Sequence, residues 1–478
     1  MNVWLDPLPW LIALPLLWAT SAFLLGPQRG GRLALAGLAV QATLALLLAQ
    51  DITTTGARTY AVGGWGAPLG IDLMADGLAS VMLLLTQGVA LPLALYARAY
   101  FAHGTAAARA HFWPLFGFLI GALNALFLSA DLFNIYVTLE LLSLAAVGLV
   151  ALGGKPAQLA AAWRYLLVSL CASGAYLMGV ALIYGLTGSV SLHPLALFFE
   201  DAIHPVAWLA AGLMLVGLVA KTALLPFHFW LPPAHGGAAA PVSALLSALV
   251  VKASFYLILR FTLGPFLPLA DAAAMTLGLL GATAILWGSV RALTTPYIKM
   301  LVAWSTVAQL GYLFLIFPLL GELRAMEAGV MQAVAHGLAK AAMFAAVGVL
   351  MLGSGRDTLA GLAGAAHRAP LALTAFALAG ISLMGLPPSG GFLAKWMLIE
   401  AALAQGAWPW VIVIIAGGLL AAGYVFRVLR LAFLLPPEDT SFDPVPHRMA
   451  WLALLLAGAS IVLGLRGVEL VTLLAATL

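Results

Sequence analysis

Long apolar blocks follow one another along this chain, separated by short polar connections. A helix rises 1.5 Å per residue, so about 20 consecutive apolar residues cross the hydrocarbon of a membrane. By that measure the pattern predicts fourteen spans, at 8–26, 33–50, 73–96, 112–130, 132–152, 164–186, 206–230, 239–262, 272–290, 297–319, 327–352, 370–400, 408–434 and 449–475. No segment between them is long enough for a soluble domain. The expected architecture is an all-α polytopic membrane protein, one membrane domain over 1–478. It divides into N-terminal helices at 1–111, a first unit at 112–262, a second at 272–434 and a last helix at 449–478. The opening "MNVWLDPLPWLIALPLLW" has no basic stretch ahead of its apolar core and no small-residue cleavage site, so it reads as the first span rather than a cleaved leader.

Composition agrees: 64% of residues are hydrophobic and 8% charged, where soluble domains carry roughly 25% charged. The single cysteine, Cys171, excludes an intramolecular disulfide. The placement of the basic residues tests the span count. With fourteen spans, one set of loops holds Arg29, Arg32, Arg98, Arg109, Lys155, Arg164, Arg291, Lys299, Arg356, Arg368, Arg427, Arg430 and Arg448. The other set holds only Arg58, Arg260, Arg324 and Arg466. A wrong count would scramble this asymmetry. The positive-inside rule then places both termini on the non-cytoplasmic side of a cell (inner) membrane.

Four lysines remain, Lys221, Lys252, Lys340 and Lys395, and all fall within predicted spans. Glu140 is the acid that lies well inside a span, and Asp131 sits at the border of the fourth and fifth. A charge at mid-membrane costs about 2.5–3.5 kcal/mol on insertion scales. Snorkelling of the long stems to the headgroups is the bland explanation. A static ion pair is another, but one carboxylate does not neutralise four ammoniums. A lysine held between burial and a neighbouring carboxylate exchanges its proton, which makes it a relay element. His336 and Lys340 lie four apart on one helical face, and histidine titrates nearest neutral pH. His228 and His235 flank a break in the seventh span, where they either line a proton uptake mouth or cap a helix end.

Two spans read as broken, the seventh at Pro226 and the twelfth at Pro387 and Pro388. Proline removes a backbone hydrogen bond, and freed backbone at membrane depth needs protein or a water-filled cavity to cover it. The breaks lie five spans apart, each near a buried lysine. The stretches after them, "FYLILRFTLGPFLP" (255–268) and "YVFRVLRLAFLLPP" (424–437), echo one another. Two inverted five-helix repeats, spans 4–8 and 9–13, fit this pattern, which marks secondary-transport folds.

"KTALLPFHFWLPPAHGGAAAPVSALLSALVVKASFYLILR" (221–260) closely resembles the signature of proton-conducting antiporter-like membrane proteins. These are the D subunit of Mrp-type Na+/H+ antiporters and the matching subunits of respiratory complex I and membrane-bound hydrogenases. "DLFNIYVTLELLSLAAVGLVAL" (131–152), "YIKMLVAWSTVAQLGYLFL" (297–315), "HGLAKAAMFAAVGVL" (336–350) and "GISLMGLPPSGGFLAKWMLIEAA" (380–402) extend the resemblance to about residues 60–450. The stretch at 60–84 is most similar to the Mrp group. The resemblance implies roles. Glu140 and Lys221 form a switching pair, with Pro226 opening the helix to water. Lys252 lies at the middle of a hydrated axis near proton uptake. His336 and Lys340 are relay groups, and Lys395 lies toward exit. Two departures stand out: Tyr297 where many relatives carry an acid ahead of Lys299, and Pro233 where many carry an acid after "WLP". Both bear on the uptake mouth or on partner contacts.

The resulting expectation is a proton-translocating subunit of a multisubunit Mrp-type Na+/H+ antiporter, an ion transporter rather than an enzyme, with membrane subunits as partners. Protons are the expected ion here, and sodium is handled elsewhere or at an interface. No cofactor, metal site or nucleic-acid partner is expected. The alternatives are a proton-pumping subunit of a redox complex and a membrane partner of inorganic-carbon uptake. With no cysteine cluster for iron–sulfur and no haem motif, redox chemistry would belong to a partner. An inert anchor and a self-contained permease fit less well, because the buried ionisable residues form a line without an obvious substrate pocket.

Overall fold

The computed structural model describes residues 6–68, 70–201, 204–435 and 442–477. Nearly all of them are helical. Helix α1 (Pro7–Thr55) leads to a hairpin of β1 (Arg58–Ala61) and β2 (Asp72–Ala75), paired antiparallel with Arg58 opposite Ala75. Then follow α2 (Gly77–Tyr100), α3 (Ala106–Leu128), α4 (Leu132–Ala151), α5 (Pro156–Thr187), α6 (Leu192–Asp201) and α7 (Pro205–Thr222). Beyond the first break come α8 (Leu231–Gly237), α9 (Ala240–Leu245), a π-helical turn at Leu246–Val250 and α10 (Val251–Leu263). Next come α11 (Ala270–Thr294), α12 (Ile298–Phe314), α13 (Leu323–Ser354), α14 (Ala365–Arg368), α15 (Pro370–Met384), α16 (Gly390–Ala404) and α17 (Trp408–Ala432). Helices α18 (His447–Leu465) and α19 (Gly467–Leu474) close the chain.

Twelve helical stretches among the described residues are long and apolar enough to cross a membrane. The 49-residue α1 counts once among them but changes direction at Gly26, with φ 75° and ψ 175°, just before Pro27. Its two arms are the first two predicted spans, and the connection expected between them is helical. The twelfth predicted span is divided into α15 and α16, each too short to count alone. With these two points the passages number fourteen. The third begins later than expected: residues 72–75 are strand, and α2 starts where Asp76 caps it by accepting from Ala79 N. The last does not run unbroken over 449–475, because α18 ends at Leu465 and α19 restarts at Gly467.

The enclosed centre rules out snorkelling for two of the lysines. The span Ala240–Leu263 is buried along its whole apolar window, and Leu323–Ser354 nearly so. They carry Lys252, His336 and Lys340. Lys252 and Lys340 have no exposed surface, so neither ammonium reaches the headgroups. Helix α13 packs against α15, α16 and α18, and α5 packs against α7.

The two breaks are built alike. Helix α7 ends at Ala223, left-handed at φ 59°, with Leu224 N donating to Val219 O at 3.2 Å and Ala223 N to Ala220 O. Helix α15 ends at Gly385, left-handed at φ 82°, with Leu386 N donating to Ile381 O at 3.1 Å and Gly385 N to Ser382 O. Each is the paired 6→1 and 5→2 closure that ends a helix on a left-handed residue. Each is followed three residues later by proline, Pro226 and Pro388. A Cβ at Gly385 would lie 2.7 Å from Lys395 Cδ. Gly385→Ala is therefore expected to destabilise the fold by about 1–3 kcal/mol, read as a lower unfolding temperature in detergent. An unchanged temperature contradicts this account of the break.

Candidate functional site

Glu140 lies midway along α4. It accepts a hydrogen bond from Ser173 Oγ of α5 and stands 3.5 Å from Lys221 Nζ. Lys221 is in the last turn of α7, where the break brings the partly negative carboxyl end of a half-helix to the ammonium. Its Nζ donates to Ser143 Oγ and Ser169 Oγ, both at 2.8 Å, and Ser169 Oγ donates to Ser143 Oγ at 2.7 Å. A ring of hydroxyls from α4 and α5 thus closes over the charge and supplies the partners that a buried ion requires.

The other lysines are held without carboxylates. Lys252 donates to the carbonyl of Ser247, five residues back across the π-helical turn. Such turns recur at functional positions. Ser247 Oγ shares a hydrogen bond of 2.9 Å with Thr306 Oγ1, which in turn bonds Val302 O at 3.1 Å. The same carbonyl accepts from Lys340 Nζ at 2.9 Å, and Lys340 also donates to Ser305 Oγ. Tyr424 lies beside Ser305, and its Oη accepts from Gln309 Nε2 at 3.5 Å; the same Nε2 donates to Leu383 O at 3.1 Å. Leu383 O accepts from Lys395 Nζ at 2.7 Å, and that ammonium sits 4.3 Å above the ring of Tyr312. Gln332 Nε2 donates to Gln309 Oε1 at 3.2 Å. Lys252, Lys340 and Lys395 therefore belong to one buried polar line. No direct hydrogen bond joins Lys221 to that line among the described residues.

His336 and His235 are fully buried, and the ring nitrogens of both have no hydrogen-bond partner among the described residues. His228 is half-buried at the rim, its ring 5.6 Å from that of Trp304, which Arg291 covers at 5.0 Å. The two histidines around the first break are therefore in different places, one at the surface and one inside. Pro226, Pro387 and Pro388 are exposed. The backbone freed near Lys221 is met by protein, because Trp230 Nε1 donates to Ala220 O at 3.0 Å.

Two basic residues assigned to loops are in fact buried. Lys299 is enclosed near the start of α12 and donates to Ala238 O, past the end of α8. Arg260, in the last turns of α10, is paired through both terminal nitrogens with Asp76 and bonds Tyr256 Oη at 2.7 Å. Each lies within a turn or so of its predicted loop, and hydropathy windows do not resolve that distance. The serines, threonine and glutamines were also missed. Their signal was spacing: Ser143 is three residues from Glu140, Gln309 four from Ser305, and Gln332 four from His336, each on one helical face.

A family profile described as "NADH:quinone oxidoreductase/Mrp antiporter, TM" matches residues 129–421. The N subunit of NADH-quinone oxidoreductase from Desulforudis audaxviator (strain MP104C) is 35% identical over 450 residues, 91% of this chain and 89% of that protein. The D subunit of the Na(+)/H(+) antiporter from Bacillus subtilis (strain 168) is 29% identical, over 87% of this chain and 83% of its own. A chain in the structure of the Mrp complex from Dietzia sp. DQ12-45-1b superposes with a TM-score of 0.91 at 27% identity, covering 100% of this chain and 97% of that one. The matched region holds Glu140, Lys221, Lys252, Lys340 and Lys395 together with the hydroxyls and carbonyls that bind them, and the chain belongs to the NADH:quinone oxidoreductase/Mrp antiporter membrane-subunit family.

Proposed function

We propose that this multi-pass chain is the proton-translocating subunit of an Mrp-type Na+/H+ antiporter in the cell inner membrane, working with other membrane subunits and with both termini on the non-cytoplasmic side. The observation that carries the reading is the buried line from Lys252 through Ser247, Thr306, Val302, Lys340, Ser305, Tyr424 and Gln309 to Lys395. Carbonyls and hydroxyls hold each ammonium in place without a fixed counter-ion, so a proton lost at one lysine is not demanded back by a neighbouring carboxylate. His336, one turn from Lys340 and with no hydrogen-bond partner among the described residues, exchanges protons with water beside this line. His228 and His235 serve uptake or gating, and Pro226, Pro387 and Pro388 set the breaks. The repeat units are 112–262 and 272–434.

Glu140 and Lys221 act beside this line. Their pairing is the switch: when Glu140 holds Lys221 the charge is compensated, and when it withdraws the ammonium repels protons on the line. The likeness over the whole chain to a component of an Mrp complex favours sodium-coupled antiport. A redox-driven pump is the second reading, favoured by the 35% identity to a component of an NADH-quinone oxidoreductase. Inverted vesicles expressing the whole operon separate them. Sodium-induced collapse of a preformed pH gradient supports antiport. Acidification driven by a reduced donor, with no response to sodium, supports the redox complex.

Gln309→Leu tests the line at its narrowest point. The amide bridges Tyr424, Leu383 and Gln332, and leucine can replace none of its hydrogen bonds. Proton transport is expected to fall about tenfold, the result of roughly 1.4 kcal/mol on the transfer step. The yield of folded protein should stay near wild type. Transport at the wild-type rate removes Gln309 from the route.

A further inference from the structure

A cavity of about 580 Å3 opens between the second arm of α1, the end of α2 and the start of α3. Three arginines line it, Arg32, Arg98 and Arg109, one from each helix, and all three are exposed. Among the described residues, none that lines it is acidic. Two helix beginnings also face it. The second arm of α1 restarts at Pro27 after the reversal at Gly26, and α3 begins at Ala106 behind its Thr105 cap. The first N–H groups of a helix lack intrahelical partners and attract anions. Apart from Gln28, the remaining wall is apolar, with Phe101, Phe112 and Trp113. Five positive features thus converge on one cavity among the basic-rich set of loops, and the relay uses none of them.

We propose that this cavity binds the phosphate of an anionic phospholipid. The guanidiniums suit phosphate oxygens because each offers a planar pair of N–H donors. The aromatic wall fits the glycerol and acyl region below a headgroup, which a free inorganic phosphate would leave uncovered. Basic pockets between membrane helices are suited to such headgroups.

The test is native mass spectrometry of the full-length chain released from mixed micelles of phosphatidylglycerol and phosphatidylcholine. One phosphatidylglycerol should remain bound in preference to phosphatidylcholine. Replacing the arginines with glutamine, R32Q, R98Q and R109Q, should weaken retention by about fivefold per arginine. The three arginines are exposed, so these changes leave the packed interior intact. Lysine at the same three positions keeps the charge and should restore most of the retention. Retention by the glutamine variant at the wild-type level overturns the proposal. Displacement of the lipid by millimolar inorganic phosphate reassigns the site to free phosphate and overturns the lipid reading. A photoreactive residue at Ala102 that crosslinks to a partner protein rather than to lipid in the assembled complex overturns it as well.

Discussion

Lys221→Ala and Glu140→Ala are each expected to reduce proton movement in inverted vesicles, driven by sodium on the proposed antiport reading, by about a hundredfold, the lower end of what a positioned proton-transfer group contributes. The two residues form the one ion pair among the described residues that joins a membrane-embedded lysine to a carboxylate, at 3.5 Å. Their supports differ, and this separates the variants from simple loss of fold. With Lys221 removed, Glu140 keeps its hydrogen bond from Ser173. With Glu140 removed, Lys221 keeps Ser143 and Ser169. Each residual group therefore retains partners, and both proteins should assemble at near-normal yield while transport fails. Ser173→Ala, which removes only the support of Glu140, should cost less than either. If both alanine variants carry protons at the wild-type rate, the pair is structural and the switch is wrongly assigned.

Asp76→Ala and Arg260→Ala are expected to give the largest losses of stability in the molecule, about 3–5 kcal/mol each, because removing one partner strands a buried charge. Arg260 is about nine-tenths buried and Asp76 more so. The pair ties the start of α2 to the end of α10, and Tyr256 extends it to Phe127 O through a hydrogen bond of 2.6 Å. A double variant, Asp76→Leu with Arg260→Met, should be more stable than either single change, since it leaves no unpaired charge. Titration with SDS in mixed micelles measures both effects. Single variants that unfold within about 1 kcal/mol of wild type would show the pair to be solvated, as exposed ion pairs are.

These two pairs show what could be read from residue order. Glu140 and Lys221 stood out because each interrupts an apolar block, and a charge in hydrocarbon is too costly to be incidental. Asp76 and Arg260 did not stand out, because each lies near the end of a span, where a charge is unremarkable in a hydropathy window. Lys299 was missed for the same reason. The structure buries all three, and depth then depends on how the helices stack rather than on distance along the chain. The π-helical turn ahead of Lys252 was likewise invisible, since "LSALV" carries no proline or glycine to announce it.

Sequence alone determined the number of passages, the segregation of basic residues, the two broken spans and the membership of four lysines, one glutamate and His336 in the interior. It did so because burying charge and unpaired backbone in hydrocarbon carries a large free-energy cost, so each exception is conspicuous. Only the tertiary structure decided which lysine meets the carboxylate, which ones meet carbonyls and hydroxyls, and that Gln309 and Tyr424 bridge Lys340 to Lys395. Serine, threonine and glutamine cost little in an apolar helix when they bond locally, so their presence predicts nothing until packing sets one helix face against another.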